Sequence, residues 1–297
     1  HSGPDVMGFW GPSEQKSGRN PAYDKFLRSA ITSCAVSARE SAVPAEAGFA
    51  AGEIEGVCEN IRNHGVQDNT ASVMQLRALD GKVITTVVNY GCHPEIMLDS
   101  HVVTADFLSV LYRGLAEKTG GEVMFMNGAL GGMVTPIVTK RDIDEMELVG
   151  NKFTDSIENI MEGLEWSRPG SFYFKTKRVM AGTSNQRIIA GLFFYRLTRK
   201  IEHGKAETEM MHMRIGPAEF ISMPGEALPK VGLKMKALLT GKYKFLISLG
   251  NDEVGYILPK EDFTEGKYEE SLSLGPDAAP DLYEAGRALI AEEVAGK

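Results

Sequence analysis

Two strand-like runs, residues 73–79 and 82–90, flank an Asp80-Gly81 step, and this is the feature that most constrains the fold. Asp-Gly between two alternating runs is the strongest short-range signal for a β-hairpin, because tight hairpin turns need residues that tolerate positive φ. The second run leads straight into Asn89-Tyr90-Gly91-Cys92-His93-Pro94-Glu95. One imidazole is thereby placed at the mouth of a strand, where α/β proteins tend to keep their chemistry.

The remaining segments interleave the two periodicities. Residues 22–41 carry Phe26, Leu27, Ala30, Ile31 and Cys34 at helical spacing, which predicts a helix with one buried face. Residues 48–57 are short and mixed and read as a strand. Residues 105–119 form an amphipathic pattern closed by Gly120-Gly121, a helix stop. Residues 122–126 predict a short apolar strand, leading into the glycine-rich stretch from Asn127 to Pro136. Helices are expected over 142–164, 227–240 and 282–295, and strands over 171–180 and 243–249. A second hairpin is expected over 210–215 and 218–223, around Gly216-Pro217. Residues 1–22, rich in Gly, Pro, Ser and Asn, predict an irregular loop. Such alternation predicts an α/β fold, a mixed β-sheet flanked by helices, in a single large domain over 1–297.

Composition narrows the partners. The net charge of −8 argues against nucleic acid, whose phosphates need a basic surface. No apolar run approaches the ~20 residues that span a bilayer. Cys34, Cys58 and Cys92 offer at most one disulfide, and burial as free thiols is the simpler reading.

Several residues at strand ends or turns could carry chemistry. His93 has the side chain most used both as zinc ligand and as general base, although a lone histidine is more often structural. Glu226, in Met223-Pro224-Gly225-Glu226, is either a helix-dipole partner or a metal or catalytic carboxylate. Tyr256 reads, on its own, as a core aromatic. Gly128, Gly131 and Gly132 bring backbone N–H groups within reach of a ligand, as an anion nest or oxyanion hole. Thr135, before Pro136, is held out of helical geometry and offers either a nucleophilic hydroxyl or a plain turn. His101 and His212 read as surface or core residues, His203 as part of a solvated basic run, and His64 as a weak candidate beside Arg62. No Gly-x-Ser-x-Gly, phosphate-binding loop, His-Glu-x-x-His or Cys-x-x-Cys pattern is present.

Taken together and in order, five separated strings resemble the neutral ceramidase family, zinc amidases that cut the N-acyl bond of ceramides. The strings are His1-Ser2-Gly3-Pro4, Asn89 to Pro94, Gly128 to Pro136, Pro224-Gly225-Glu226, and Gly255-Tyr256 with a second tyrosine twelve residues on. The resemblance implies that His93, Glu226 and Tyr256 are zinc ligands, with a further histidine expected two residues before His1, so that the N-terminus looks truncated. It makes His1, Arg62, Thr135 and Tyr268 catalytic residues and Gly128, Gly131 and Gly132 the substrate-side loop. Thr135 stands where the family has serine, and Met133 where it has aspartate. Within these 297 residues the C-terminal immunoglobulin-like domain of larger members is not expected.

The activity implied by this resemblance is that of a Zn2+-dependent amidohydrolase acting on a small-molecule or lipid N-acyl substrate, secreted or periplasmic. The metal would act as a Lewis acid. The glycine loop, Tyr268 and Arg62 would stabilise the oxyanion, and His1 would orient substrate or shuttle a proton. Water is the favoured nucleophile over Thr135. Two alternatives stay open: a metallohydrolase of another class, aminopeptidase-like, and a non-catalytic binding protein with a decayed site.

Overall fold

In the computed structural model, which describes residues 16, 18–98, 100–193 and 200–295, the hairpin is present. Its strands are β3 (Thr70–Ala78) and β4 (Val83–Tyr90), the fourth and fifth regular elements after α1 (Pro21–Glu40), β1 (Ala45–Glu53) and β2 (Cys58–Asn60). Gly81 takes the left-handed conformation at φ 91°, while the Asp80 carboxylate accepts a hydrogen bond from the Lys82 N–H. The dipeptide thus divides its work: glycine supplies the backbone reversal and aspartate ties the turn.

Next along the chain are α2 (Leu108–Thr119), β5 (Glu122–Asn127), β6 (Val134–Pro136), α3 (Ile143–Met161), β7 (Glu165–Ser167), β8 (Phe172–Gly182) and α4 (Gln186–Phe193). Then come β9 (Ile201–Glu202), β10 (Lys205–Ile215), β11 (Ala218–Met223), β12 (Glu226–Ala227), α5 (Pro229–Lys236), β13 (Tyr243–Ser248), β14 (Tyr256–Ile257), α6 (Tyr268–Ser271) and α7 (Ala278–Ala295). The expected helix stop is Gly120, at φ 75°, and α3 is opened by Asp142, whose carboxylate accepts from the Glu145 N–H.

The class is α/β, with most strands divided between two larger sheets and the pairs β12-β14 and β2-β6 standing apart. One runs β5-β4-β3-β1-β7, parallel only at β4–β5. The other runs β13-β11-β10-β8, with β9 on β10, and is parallel only at β11–β13. They pack face to face through Phe49, Met74, Val87, Phe220, Tyr243 and Phe245, and Phe220 stacks on Phe245 at 4.2 Å. Strand alternation sends the other faces outward to the helices. Val88 and Tyr90 meet Leu111, Leu115 and Phe153 of α2 and α3, while Ile221 and Met223 meet Met235, Leu282 and Leu289 of α5 and α7. The result is helix, sheet, sheet, helix. Every position of β11 is buried, as a strand covered on both faces requires. Asn89 crosses between the sheets, donating to and accepting from the Leu246 backbone, and Ser72 donates to the Lys244 carbonyl. Thus two strands are joined by polar bonds where the sheets meet near their ends.

The first helix departs from expectation. α1 forms where predicted, with Asn20 as its cap and Pro21 in the first turn, but none of its residues is buried. Phe26 and Ile31, expected in the core, are 66% and 60% exposed. Helical spacing reports that a face is apolar, and the core it would join is already closed by α2 and α3.

Candidate active site

His93 leaves β4 at its C-terminal end, and Pro94 keeps it out of helical geometry. Its backbone N–H donates to the Val134 carbonyl at 2.9 Å, and Nδ1 lies 2.9 Å from the same oxygen. A carbonyl only accepts, so Nδ1 carries the proton and the ring orientation is fixed. Nε2 then faces Glu226 Oε1 at 3.1 Å. Two lone-pair atoms come this close only around a shared proton or a cation. Burial alone would lower the His93 pKa, but the hydrogen bond to Glu226 and the Glu226 charge outweigh it, and the net shift is upward.

Glu226 is placed by two short strands. β12 and β14 pair in parallel with Glu226 opposite Tyr256, and the Glu226 N–H donates to the Gly255 carbonyl at 3.0 Å. Gly225 and Gly255 allow this approach: a Cβ on either would strike a backbone carbonyl, of Gly255 or Leu272 respectively. Ser248, at the end of β13, donates to the Gly225 carbonyl and accepts from the Ala227 N–H, locking the segment to the second sheet. The Tyr256 phenol is held protonated, first by burial and then by the neighbouring charge of Glu226. Tyr268 packs edge-on against it, ring centroids 5.9 Å apart, and is 59% exposed.

Arg62 approaches from β2. Its backbone N–H donates to the Gly132 carbonyl, and Gly132, at φ 76°, lies beneath its side chain. The guanidinium donates to Glu269 at 2.7 Å, to both oxygens of Glu270 at 2.6 and 3.2 Å, and to the Asp262 carbonyl. It is therefore occupied in holding α6, which starts at Tyr268. The glycine loop is committed as well: the Gly128 N–H donates to the Tyr90 carbonyl and the Gly131 N–H to the Ala227 carbonyl, both at 2.9 Å. These two donors fasten the loop between His93 and Glu226 and are not turned towards a ligand.

Thr135 comes directly after Val134, but its hydroxyl points elsewhere. It donates to Glu95 Oε1 at 2.6 Å, with both residues buried. Arg141 supports Glu95, donating to its carbonyl at 2.7 Å. Glu95, two residues beyond His93, is not singled out by sequence reasoning, and its place in His93-Pro94-Glu95 is the available signal. His1 lies outside the described residues.

The fold has known counterparts. Among solved structures, neutral ceramidase from Pseudomonas aeruginosa aligns with a TM-score of 0.68 and 13% identity over 84% of this chain and 53% of that one. A ceramidase complexed with C2 gives 0.67 and 13%, over 84% and 54%. The fold is ceramidase-like. At this identity the likeness is one of architecture, and the chain spans about half the length of those proteins. No protein-family profile and no curated protein matches the sequence.

Elsewhere on the ceramidase-like frame, His212, Glu219 and Glu293 offer three buried donor atoms within 4.8 Å of one another. The cluster sits at the start of β11, seven residues before Glu226, and so at the opposite end of the sheet. Arg214 already fills it, reaching Glu219 at 2.9 Å and Glu293 at 2.8 Å. With a guanidinium balancing the carboxylates, this is a buried ion network rather than a vacant metal site. His64 is exposed and turned to Glu59, while His101 and His203 are exposed at positive φ.

Proposed function

We propose that this protein is a zinc-dependent amidohydrolase that cleaves an N-acyl amide bond, as the resemblance to ceramidases suggests. The observation that carries the reading is the facing of His93 Nε2 and Glu226 Oε1 at 3.1 Å, with Nδ1 already spent on a carbonyl. The donor set fits the metal. Two ligands about 2.0–2.1 Å from a tetrahedral zinc lie roughly 3.3 Å apart, close to this separation, and a neutral histidine whose other nitrogen donates to a carbonyl is the usual zinc-binding form. His93, Glu226 and Tyr256 would hold the ion. Bound there, it would supply Lewis acidity, polarising an amide carbonyl and acidifying water.

The chain's own residues do the rest. The Val134 carbonyl fixes the His93 ring, and the Ser248 hydroxyl fixes the backbone on either side of Glu226. Arg62, through Glu269 and Glu270, positions α6, so that the exposed Tyr268 hydroxyl can hydrogen-bond the substrate carbonyl as charge develops. Because the Thr135 hydroxyl is buried on Glu95, water is the attacking group.

The test is release of free amine, measured by mass spectrometry, from an N-acyl sphingosine and an N-acyl amino acid. Turnover that is lost on chelation and restored by Zn2+ supports the proposal. Turnover untouched by complete metal removal overturns it, and metal binding without turnover of either substrate would favour a binding protein.

A further inference from the structure

Two cysteines that the amidase reading leaves unused lie beside its first candidate ligand. Cys58, in β2, and Cys92, the residue before His93, belong to one buried cluster and are 6% and 0% exposed. Both are free thiols. The Cys58 sulfur is ringed by polar groups. Gln67 Nε2 donates to it at 2.9 Å, and the Tyr90 hydroxyl lies 3.2 Å away. The Gly91 carbonyl, one residue before Cys92, lies at 3.8 Å. The largest influence on the Cys58 thiol is a hydrogen bond with the Cys92 thiol. It draws the Cys58 pKa below the ordinary value against the opposing effect of burial, and Tyr90 and Gln67 act in the same sense. A cysteine that only fills space calls for no such donors. Donors gathered on one sulfur mark a thiol prepared to react.

The pair also touches both supports of His93. β2 pairs with β6, Cys58 opposite Pro136 and Asn60 opposite Val134. The Val134 carbonyl holds the backbone and the ring of His93. Cys58 is thus fastened to the strand that orients the imidazole, while Cys92 is joined to His93 by the chain itself.

Resting on the amidase reading for its consequence, we propose that Cys58 and Cys92 are a redox pair that a peroxide closes to a disulfide, and that closure displaces His93 from Glu226. The Cys58 thiolate attacks one peroxide oxygen, an S–O bond forms and the O–O bond breaks. The departing hydroxide takes up the Cys58 proton as water and leaves a sulfenic acid. The Cys92 sulfur then attacks the Cys58 sulfur, the S–S bond forms and the S–O bond breaks. The second hydroxide leaves with the Cys92 proton as a second water. Two thiols are oxidised and one peroxide is reduced. Hydrogen peroxide is small enough to reach Cys58, which keeps the little exposure the pair has. Joining the sulfurs draws together two groups that are now only in contact. β2 is tied to β6 by its ladder and by the Ile61 and Ile137 N–H groups on either side, so the movement falls on Cys92 and His93.

The test uses the full chain carrying Cys34→Ser, which removes the exposed thiol of α1 from competition. Hydrogen peroxide is added, and peptides are mapped by mass spectrometry without reduction. A Cys58–Cys92 cross-link, reversed by dithiothreitol, is the expected result. In the metal-free protein the His93 imidazole NMR signal, assigned by its absence in His93→Gln, shifts on oxidation. Affinity for Zn2+ falls by about 10-fold, as when a group that orients a ligand is disturbed. In Cys92→Ser the oxidation stops at a sulfenic acid on Cys58, trapped by dimedone. Both thiols remaining free under conditions that oxidise Cys34 in the parent chain would overturn the inference. So would a cross-link that leaves the His93 signal in place. A cross-link that moves the His93 signal in a protein that binds no zinc in either state leaves the inference standing and removes the zinc reading.

Discussion

At the scale of single residues, the chemistry turns on which hydroxyls and charges are already spoken for. Thr135 is the sharpest case. If its hydroxyl only satisfies Glu95, Thr135→Val lowers kcat by less than about 10-fold while destabilising the fold by about 1–3 kcal/mol, since a buried carboxylate loses its donor. Loss of all turnover in a variant that still melts cooperatively would instead make Thr135 the nucleophile. His93 and Glu226 are legible because each follows closely on a strand, β4 or β11, in a short string of unusual residues. Tyr256 is not legible from its own surroundings, and only the resemblance draws it in. Its partnership with Glu226 depends on two glycine approaches between segments about thirty residues apart, a distance that local pattern does not encode. Glu95 escapes sequence reasoning for a related reason, because a carboxylate after His-Pro gains meaning only once β6 brings Thr135 against it.

Among the elements, periodicity predicts existence well and neighbours poorly. The hairpin, α2, α3, β8, the β10–β11 pair, α5, β13 and α7 all stand where alternation or helical spacing places them. The two-residue strands β12 and β14, which hold the candidate ligands, carry too few positions for any period to show. α1 marks the other limit: its apolar spacing is real, yet its face is exposed. This predicts a measurable contrast. Phe153→Ala, in the contact between α3 and the first sheet, costs about 3–5 kcal/mol in denaturant unfolding, whereas Ile31→Ser on α1 changes stability by about 0.5 kcal/mol or less. A large loss from the α1 substitution would mean that this helix is buried in solution.

For the whole molecule, the two ends of β11 have different electrostatic work. At its start, burial raises the Glu219 pKa, but the His212 hydrogen bond, the Gly241 and Thr240 N–H groups and Arg214 outweigh it and bring it down to about 2. A carboxyl whose folded pKa lies below its unfolded value of 4.5 contributes stability above that value and loses it as pH falls towards 2. Its contribution at neutral pH is about 3 kcal/mol, so Glu219→Gln should be less stable at pH 7 and show a shallower loss of stability between pH 4.5 and 2. An unchanged acid limb would remove the network from the forces that stabilise the fold. At its far end, the strand delivers Glu226 to His93, and this is where metal is expected. Zinc content by mass spectrometry on the purified protein, Glu226→Ala and Glu219→Gln tests that assignment most directly. The expected result is one zinc per chain in the wild type and in Glu219→Gln, and none in Glu226→Ala. Full zinc retention in Glu226→Ala, with loss in Glu219→Gln, would contradict it and move the metal to the other end of the sheet.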